Sequence, residues 1–143
     1  MKTLKQLLAG KTKQLASVAP DQTVLRALEV MAEKDVGALL VLDGKSLAGV
    51  FSERDYARKV VLQGKSSMHT KVSDVMSAKV VYVTLDQTIE ECMAIMTEKH
   101  FRHLPVLGAN QAVVGIISIG DLIKETISQQ EFIISQLEHY ISR

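Results

Sequence analysis

The chain has no tryptophan, a single cysteine, three tyrosines, three phenylalanines and almost no net charge in 143 residues. Aromatics at 4% leave little for a platform that stacks single-stranded bases, and no strand-like run carries aromatics flanked by glycine. Seventeen Lys and Arg against sixteen Asp and Glu leave +1, so no long-range field gathers nucleic acid, a membrane surface or an acidic partner. With Cys92 alone, neither an internal disulfide nor a thiolate metal cage can form; its place in a helical apolar pattern makes it a core residue rather than a nucleophile. Long apolar runs are also missing: lysines interrupt Met1 to Gly10, and no later stretch approaches a membrane span. The expected setting is cytoplasmic, with neither nucleic acid nor membrane as partner.

What is present is a 47% apolar composition, enough for one compact core, and an internal repeat. Asp21-Gln22-Thr23 recurs as Asp86-Gln87-Thr88, a shift of 65 positions that also carries Met31 onto Met96, Glu33-Lys34 onto Glu98-Lys99 and Val41-Leu42 onto Val106-Leu107. After one inserted residue, a shift of 66 carries Gly49, Ser52 and Asp55 onto Gly115, Ser118 and Asp121. Both copies read alike. Val24, Ala27, Leu28 and Met31, then Ile89, Cys92, Met93 and Met96, mark one face of a helix. Apolar runs at Ala38 to Leu42 and Leu47 to Phe51, and at His103 to Leu107 and Ala112 to Ile117, predict paired strands. A second helix starts near Ser52 or Ser118, and short strands precede each unit at Ala16 to Val18 and Val81 to Val83.

The order β-α-β-β-α, twice, predicts an α+β fold of sandwich-like character, with two pseudo-symmetric units packed through their sheets because neither buries enough alone. Residues 1–70 form the first unit with an N-terminal segment, and 71–143 the second with a C-terminal helix. The polar stretch Gly64 to Met76 is the expected mobile linker.

The candidate chemistry lies in Gly49-Val-Phe-Ser52-Glu-Arg-Asp55 and Gly115-Ile-Ile-Ser118-Ile-Gly-Asp121, where a strand hands over to a helix. Ser-x-x-Asp fits a capping box. It equally fits a ligand site, since a helix N-terminus offers N–H groups, an aspartate accepts two ribose hydroxyls and a serine meets a hydroxyl or phosphate oxygen. In the second copy Phe101-Arg102-His103-Leu104-Pro105-Val106 stands where the first has Val36-Gly37-Ala38-Leu39-Leu40-Val41. Arg102 can grip phosphate bidentately and His103 can add a donor, while small residues suffice for structure in the first copy. Arg54 and Arg58 add charge near Ser52, or belong to a solvated helix face.

Gly10-Lys11-Thr12, Gly44-Lys45-Ser46 and Gly64-Lys65-Ser66 mimic the end of a phosphate-binding loop. Lys5, Leu39 and Lys59 stand where its earlier glycine is required, so none qualifies. His100-x-x-His103 lacks a third ligand at metal spacing, and no catalytic triad or dinucleotide fingerprint is evident, so no enzyme activity, metal or obligatory cofactor is expected. The last helix, from Asp121 toward Arg143, spaces Ile123, Ile127, Ile134, Leu137 and Ile141 by three, four or seven. This stripe outlasts the repeat and suits a homodimer.

On the duplication, the Val72-Ser-Asp-Val-Met76 start, the Arg102-His103-Leu-Pro-Val106 segment and both Gly-x-x-Ser-x-x-Asp endings, the chain resembles a tandem cystathionine-β-synthase (CBS) domain pair, or Bateman module. The resemblance implies a pseudo-symmetric disc whose clefts bind AMP, ADP or ATP, and in some members NAD or S-adenosylmethionine. It implies that Asp55 and Asp121 hold ribose hydroxyls, that Ser52 and Ser118 contact ribose or phosphate, and that Arg102 with His103 approaches phosphate. Arg54 and Pro105, beside these residues, are counted with them as nucleotide-binding candidates. Gly37-Ala38 in place of Arg-His implies that the two clefts differ. Such pairs usually regulate a fused enzyme or channel; none is recognised here, so the expected output passes through an unknown effector protein or through self-association.

Overall fold

The computed structural model describes residues 2–9 and 15–142. Its elements run α1 (Leu4–Ala9), β1 (Ser17–Val18), α2 (Val24–Lys34), β2 (Ala38–Asp43), β3 (Ser46–Ser52), α3 (Glu53–Asp55), α4 (Val72–Val75), β4 (Val83–Thr84), α5 (Ile89–Lys99), β5 (His103–Leu107), β6 (Val113–Ser118) and α6 (Ile119–Ile141). The fold is the expected α+β duplication, with two three-stranded sheets ordered β1-β2-β3 and β4-β5-β6. In each, the short first strand runs parallel to the central one, and the last strand returns antiparallel with a register break after Val41 or Val106.

The repeated Asp-Gln-Thr does the same local work in both copies. Thr23 and Thr88 cap α2 and α5 by accepting the N–H of Arg26 at 3.1 Å and of Glu91 at 3.2 Å, a contact worth about 1 kcal/mol. Gln22 and Gln87 each accept, at 2.8 Å, the N–H three residues earlier, fixing the approach to the helix. Both helices stop at a left-handed residue, Asp35 at φ 53° and His100 at φ 59°. Alternation along the central strands then sends Leu39 and Val41, or Leu104 and Val106, into a core with the helices of their own unit. Ala38, Leu40 and Pro105, also buried, lie on the opposite face, through which the two sheets pack.

Terminal segments cross between units. Leu4 of α1 is fully buried with Val83, Ile89 and Leu104 of the second unit, and its N–H donates to the Gln87 carbonyl. Val72 and Val75 of α4 complete the first core instead, beside Val24 and Phe51. The sequence boundary expected at residues 70 and 71 therefore does not divide the cores.

Gly64 to Met76 is not a loose tether. The N–H groups of Val24 and Leu25 donate to the carbonyls of Thr70 and Ser67, and those of Val72 and Ser73 donate to Gln22 and Pro20. Two buried valines in an otherwise polar stretch are the reason, since burying them draws the backbone onto the first unit. The second helix of the first copy is also shorter than its counterpart in the second. After α3 the backbone widens into a π-helical turn over Tyr56–Val61 and ends at Leu62, whereas the matching α6 runs 23 residues. Cys92 is wholly buried, as its helical spacing predicts.

Candidate functional site

Each unit places its Ser-x-x-Asp at the end of its last strand. Ser52 and Asp55 form a closed capping box: the Ser52 oxygen accepts the Asp55 N–H at 3.2 Å, and Asp55 Oδ2 accepts the Ser52 N–H at 3.0 Å. Ser118 and Asp121 do likewise at 3.0 and 2.9 Å. The glycine three residues before Ser52 has a separate purpose. A Cβ on Gly49 would lie 2.7 Å from the Ser77 carbonyl oxygen, so only glycine admits the segment that pairs with β3 there.

The Asp55 carboxylate is engaged beyond its cap. Its Oδ1 accepts the Ser77 hydroxyl at 3.2 Å and faces Lys59 Nζ at 3.2 Å, while Oδ2 also accepts the Ser52 hydroxyl at 3.1 Å.

The two units meet across clefts in which each contributes a different part. A cleft of about 450 Å³ joins Ser52, Arg54 and Asp55 of the first unit to Arg102, His103 and Pro105 of the second. Arg58, Lys59 and Lys79 add further positive charge to this wall, against the carboxylates of Glu53 and Asp55. The second cleft, about 330 Å³, joins Ser118 and Asp121 to Val36, Gly37 and Ala38. Its described lining presents Asp35 and Asp121 and neither arginine nor lysine. The expected inequality of the clefts thus has a specific form: Arg102 lines only the cleft of Asp55 and Ala38 only that of Asp121, while Gly37 borders both.

His103 lines both clefts. Burial holds its imidazole below the ordinary range; the carboxylates of Asp121, Glu53 and Asp55 act in the other direction, and Arg102 reinforces burial. A Cβ on Gly37 would stand 3.9 Å from His103 Nε2, in ordinary contact, so the two residues are neighbours across the units.

The first strands also differ. In the first unit the Leu40 N–H donates to the Ala16 carbonyl at 3.1 Å. The equivalent pair is Pro105 and Val81, and proline has no N–H to give. Val81 and Pro105 both line the larger cleft, so its inner end carries a strand carbonyl that its own sheet does not use in this way.

Of the residues singled out in the sequence, Ser52, Arg54, Asp55, Arg102 and Pro105 line one cleft, Ser118 and Asp121 the other, and His103 both. Ser77, Lys79 and Val81 are not among them; they reach the site through the pairing of Val50 with Ser77. Among the described residues, no three His, Cys, Asp or Glu side chains gather as a metal site, and no helix is long and apolar enough to cross a membrane. Gly44 and Gly64 occupy turns at φ 62° and 67°, away from both clefts, and Gly10-Lys11-Thr12 lies outside the described residues.

Known proteins share this duplicated fold. The CBS domain pattern matches twice, over residues 5–62 and 72–128. An Arabidopsis thaliana CBS domain-containing protein, CBSX3, is 36% identical over 85% of this chain and 61% of its own length. The Bacillus subtilis protein YhcV is 34% identical over 83% of this chain and 84% of its own. Among solved structures, a CBS-domain protein of Burkholderia ambifaria superposes with a TM-score of 0.85 at 49% identity, covering 90% of this chain and 96% of that one. The CBS domain pair of protein MJ0100, solved with 5′-methylthioadenosine and S-adenosyl-L-methionine, shares the fold at 18% identity, TM-score 0.79, over 90% of this chain and 98% of that one.

Proposed function

Because the chain belongs to the CBS-domain family as a tandem pair, we propose that it is a regulatory module that binds an adenine nucleotide and acts by conformational change or self-association rather than catalysis. One observation carries this reading: Arg102 and His103 of one unit face Ser52 and Asp55 of the other across a single cleft. A phosphorylated nucleoside fits that polarity. Its ribose hydroxyls engage Asp55, its phosphates engage Arg102 with Arg54 and Lys79, and its base lies toward Val81 and Pro105. The Val81 carbonyl, which Pro105 cannot engage, is a natural acceptor for the exocyclic amine of adenine.

Binding draws Asp55 away from Ser77 and Lys59, so the ligand competes with the contact that ties the first unit to the chain leading into the second. That competition supplies the differential affinity a switch requires. AMP, ADP and ATP are the first choices, with NAD or S-adenosylmethionine as alternatives; the adenosyl ligands of MJ0100 support the nucleoside part of the reading. The cytoplasm, a homodimer and an effector protein complete the proposal. A structural scaffold is the second reading, favoured by the closed capping boxes at both aspartates.

Isothermal titration of AMP, ADP, ATP, NAD and S-adenosylmethionine into the protein, alongside Arg102→Gln, separates the two. The sensor reading expects saturable binding of a phosphorylated nucleotide, weakened about tenfold or more by loss of a charge-assisted contact. Millimolar concentrations of all five that neither bind nor raise the melting temperature would leave the scaffold.

A further inference from the structure

The proposed self-association can be given a geometry from α6, and this inference rests on that proposal but not on nucleotide binding. The first turns of α6 lie on the second unit through Leu122, which is buried, Glu125, which pairs with Lys2 at 2.7 Å, and Thr126, whose hydroxyl approaches Met93 Sδ. On the outward side stand Ile123 and Ile127, 44% and 50% exposed. Beyond Gln130 every described residue is exposed, including Ile134, Leu137 and Ile141. A dozen residues of helix without a packing face are marginal in water, so this segment needs a partner to persist.

The spacing identifies the partner. Ile127, Ile134 and Ile141 recur every seven residues, and Ile123, Gln130 and Leu137 fall between them in the alternating four-three rhythm of a heptad seam. Isoleucine fills the first core position throughout, and the second holds Ile123, Gln130 and Leu137; Ile134 followed by Leu137 is the combination that favours two parallel strands. Gln130 is the single polar residue of the seam and fixes the register: in a parallel pair its amide meets the same amide of the second copy. An antiparallel pair that keeps every layer would bury Gln130 against Ile134 and set Glu131 against its own copy. That arrangement would also join Lys124 to Glu138, but an exposed ion pair counts for little beside an unpartnered amide. The exposed seam, with Ile133 and Tyr140 beside it, offers from two copies an area on the order of the 1,000 Å² a specific interface needs.

We infer that Ile123–Ile141 of two copies wind together as a parallel, in-register pair of helices, leaving the nucleotide clefts outside the interface. Sedimentation velocity on the full chain, on an Ile134→Asp/Leu137→Asp variant and on oxidised Ile141→Cys and Phe132→Cys variants tests it. The expected result is a dimeric native chain, a monomeric double-aspartate variant with unchanged helix content in the folded units, and a covalent dimer with Ile141→Cys but not with the outward Phe132→Cys. A dimer that survives both aspartates overturns the helix pair and leaves self-association standing. A monomeric native chain overturns both. Failure of Ile141→Cys to cross-link better than Phe132→Cys overturns the parallel register, since antiparallel helices would hold the two Cys side chains at opposite ends.

Discussion

Ser77 donates a 3.2 Å hydrogen bond to Asp55, so the cap of the first unit's last helix is read by a residue that already belongs to the approach to the second. The backbone of Ser77 is fixed on both sides by Val50, at 3.0 and 2.9 Å, and cannot drift without breaking that pairing. Removing the carboxylate should therefore cost both a cap and a junction. Asp55→Ala is expected to lower stability by about 1–2 kcal/mol in urea unfolding, and Ser77→Ala by less. The two changes should be non-additive, the double variant losing less than their sum, and strict additivity would remove the coupling drawn from this contact.

His103 makes stability fall in mild acid. Its folded imidazole titrates below the ordinary value of 6.5, so on acidification the unfolded chain takes up its proton first. The favourable difference is intact above that value and is lost as pH falls through and below it. Melting temperatures recorded from pH 7.5 down to pH 5.5 should drop more steeply for the native chain than for His103→Asn; parallel slopes would mean another group governs the window.

Leu4 lies in the sequence of the first unit and in the core of the second. Leu4→Ala is expected to destabilise by about 2–5 kcal/mol, as for a fully buried leucine, and hydrogen exchange should report the loss around Ile89 and Leu104 rather than around Val24. Protection lost mainly from α2 would contradict the crossed packing.

Cys92 should be chemically silent. Burial, with Glu91 beside it, pushes its thiol up to about 11, so no thiolate is on offer near neutral pH. A chromogenic disulfide reagent should label it only as fast as the protein opens, and in full once denatured. Immediate labelling of the folded chain would show that the α5 face is not sealed.

The duplication and the strand order were legible because they rest on local rules: a helical apolar rhythm and short apolar runs bounded by turn residues. The Ser-x-x-Asp pairs were legible as capping boxes as well. What could not be read was partnership across the pseudo-twofold axis. Arg102 stands beside Ser118 in sequence terms, and only the packing of the sheets hands its side chain to the cleft of Asp55. Ser77 and Lys79 escaped for a similar reason. Their segment resembles α1, with Leu4, Leu7 and Leu8 matching Val72, Val75 and Met76 at a shift of 68, a spacing hidden by the 65-residue shift of the main repeat. The π-helical turn after Asp55 follows no pattern we recognise in Tyr56–Val61.

The exchange of α1 and α4 sets a schedule for the newborn chain. The first unit is finished only when Val75 has been made, and the second only when Leu4, made ahead of the first unit, meets Leu122. A fragment cut between the repeats would lack one wall of each core. Neither half should serve as an independent building block, and grafting one CBS unit from this chain elsewhere would require carrying its borrowed helix along.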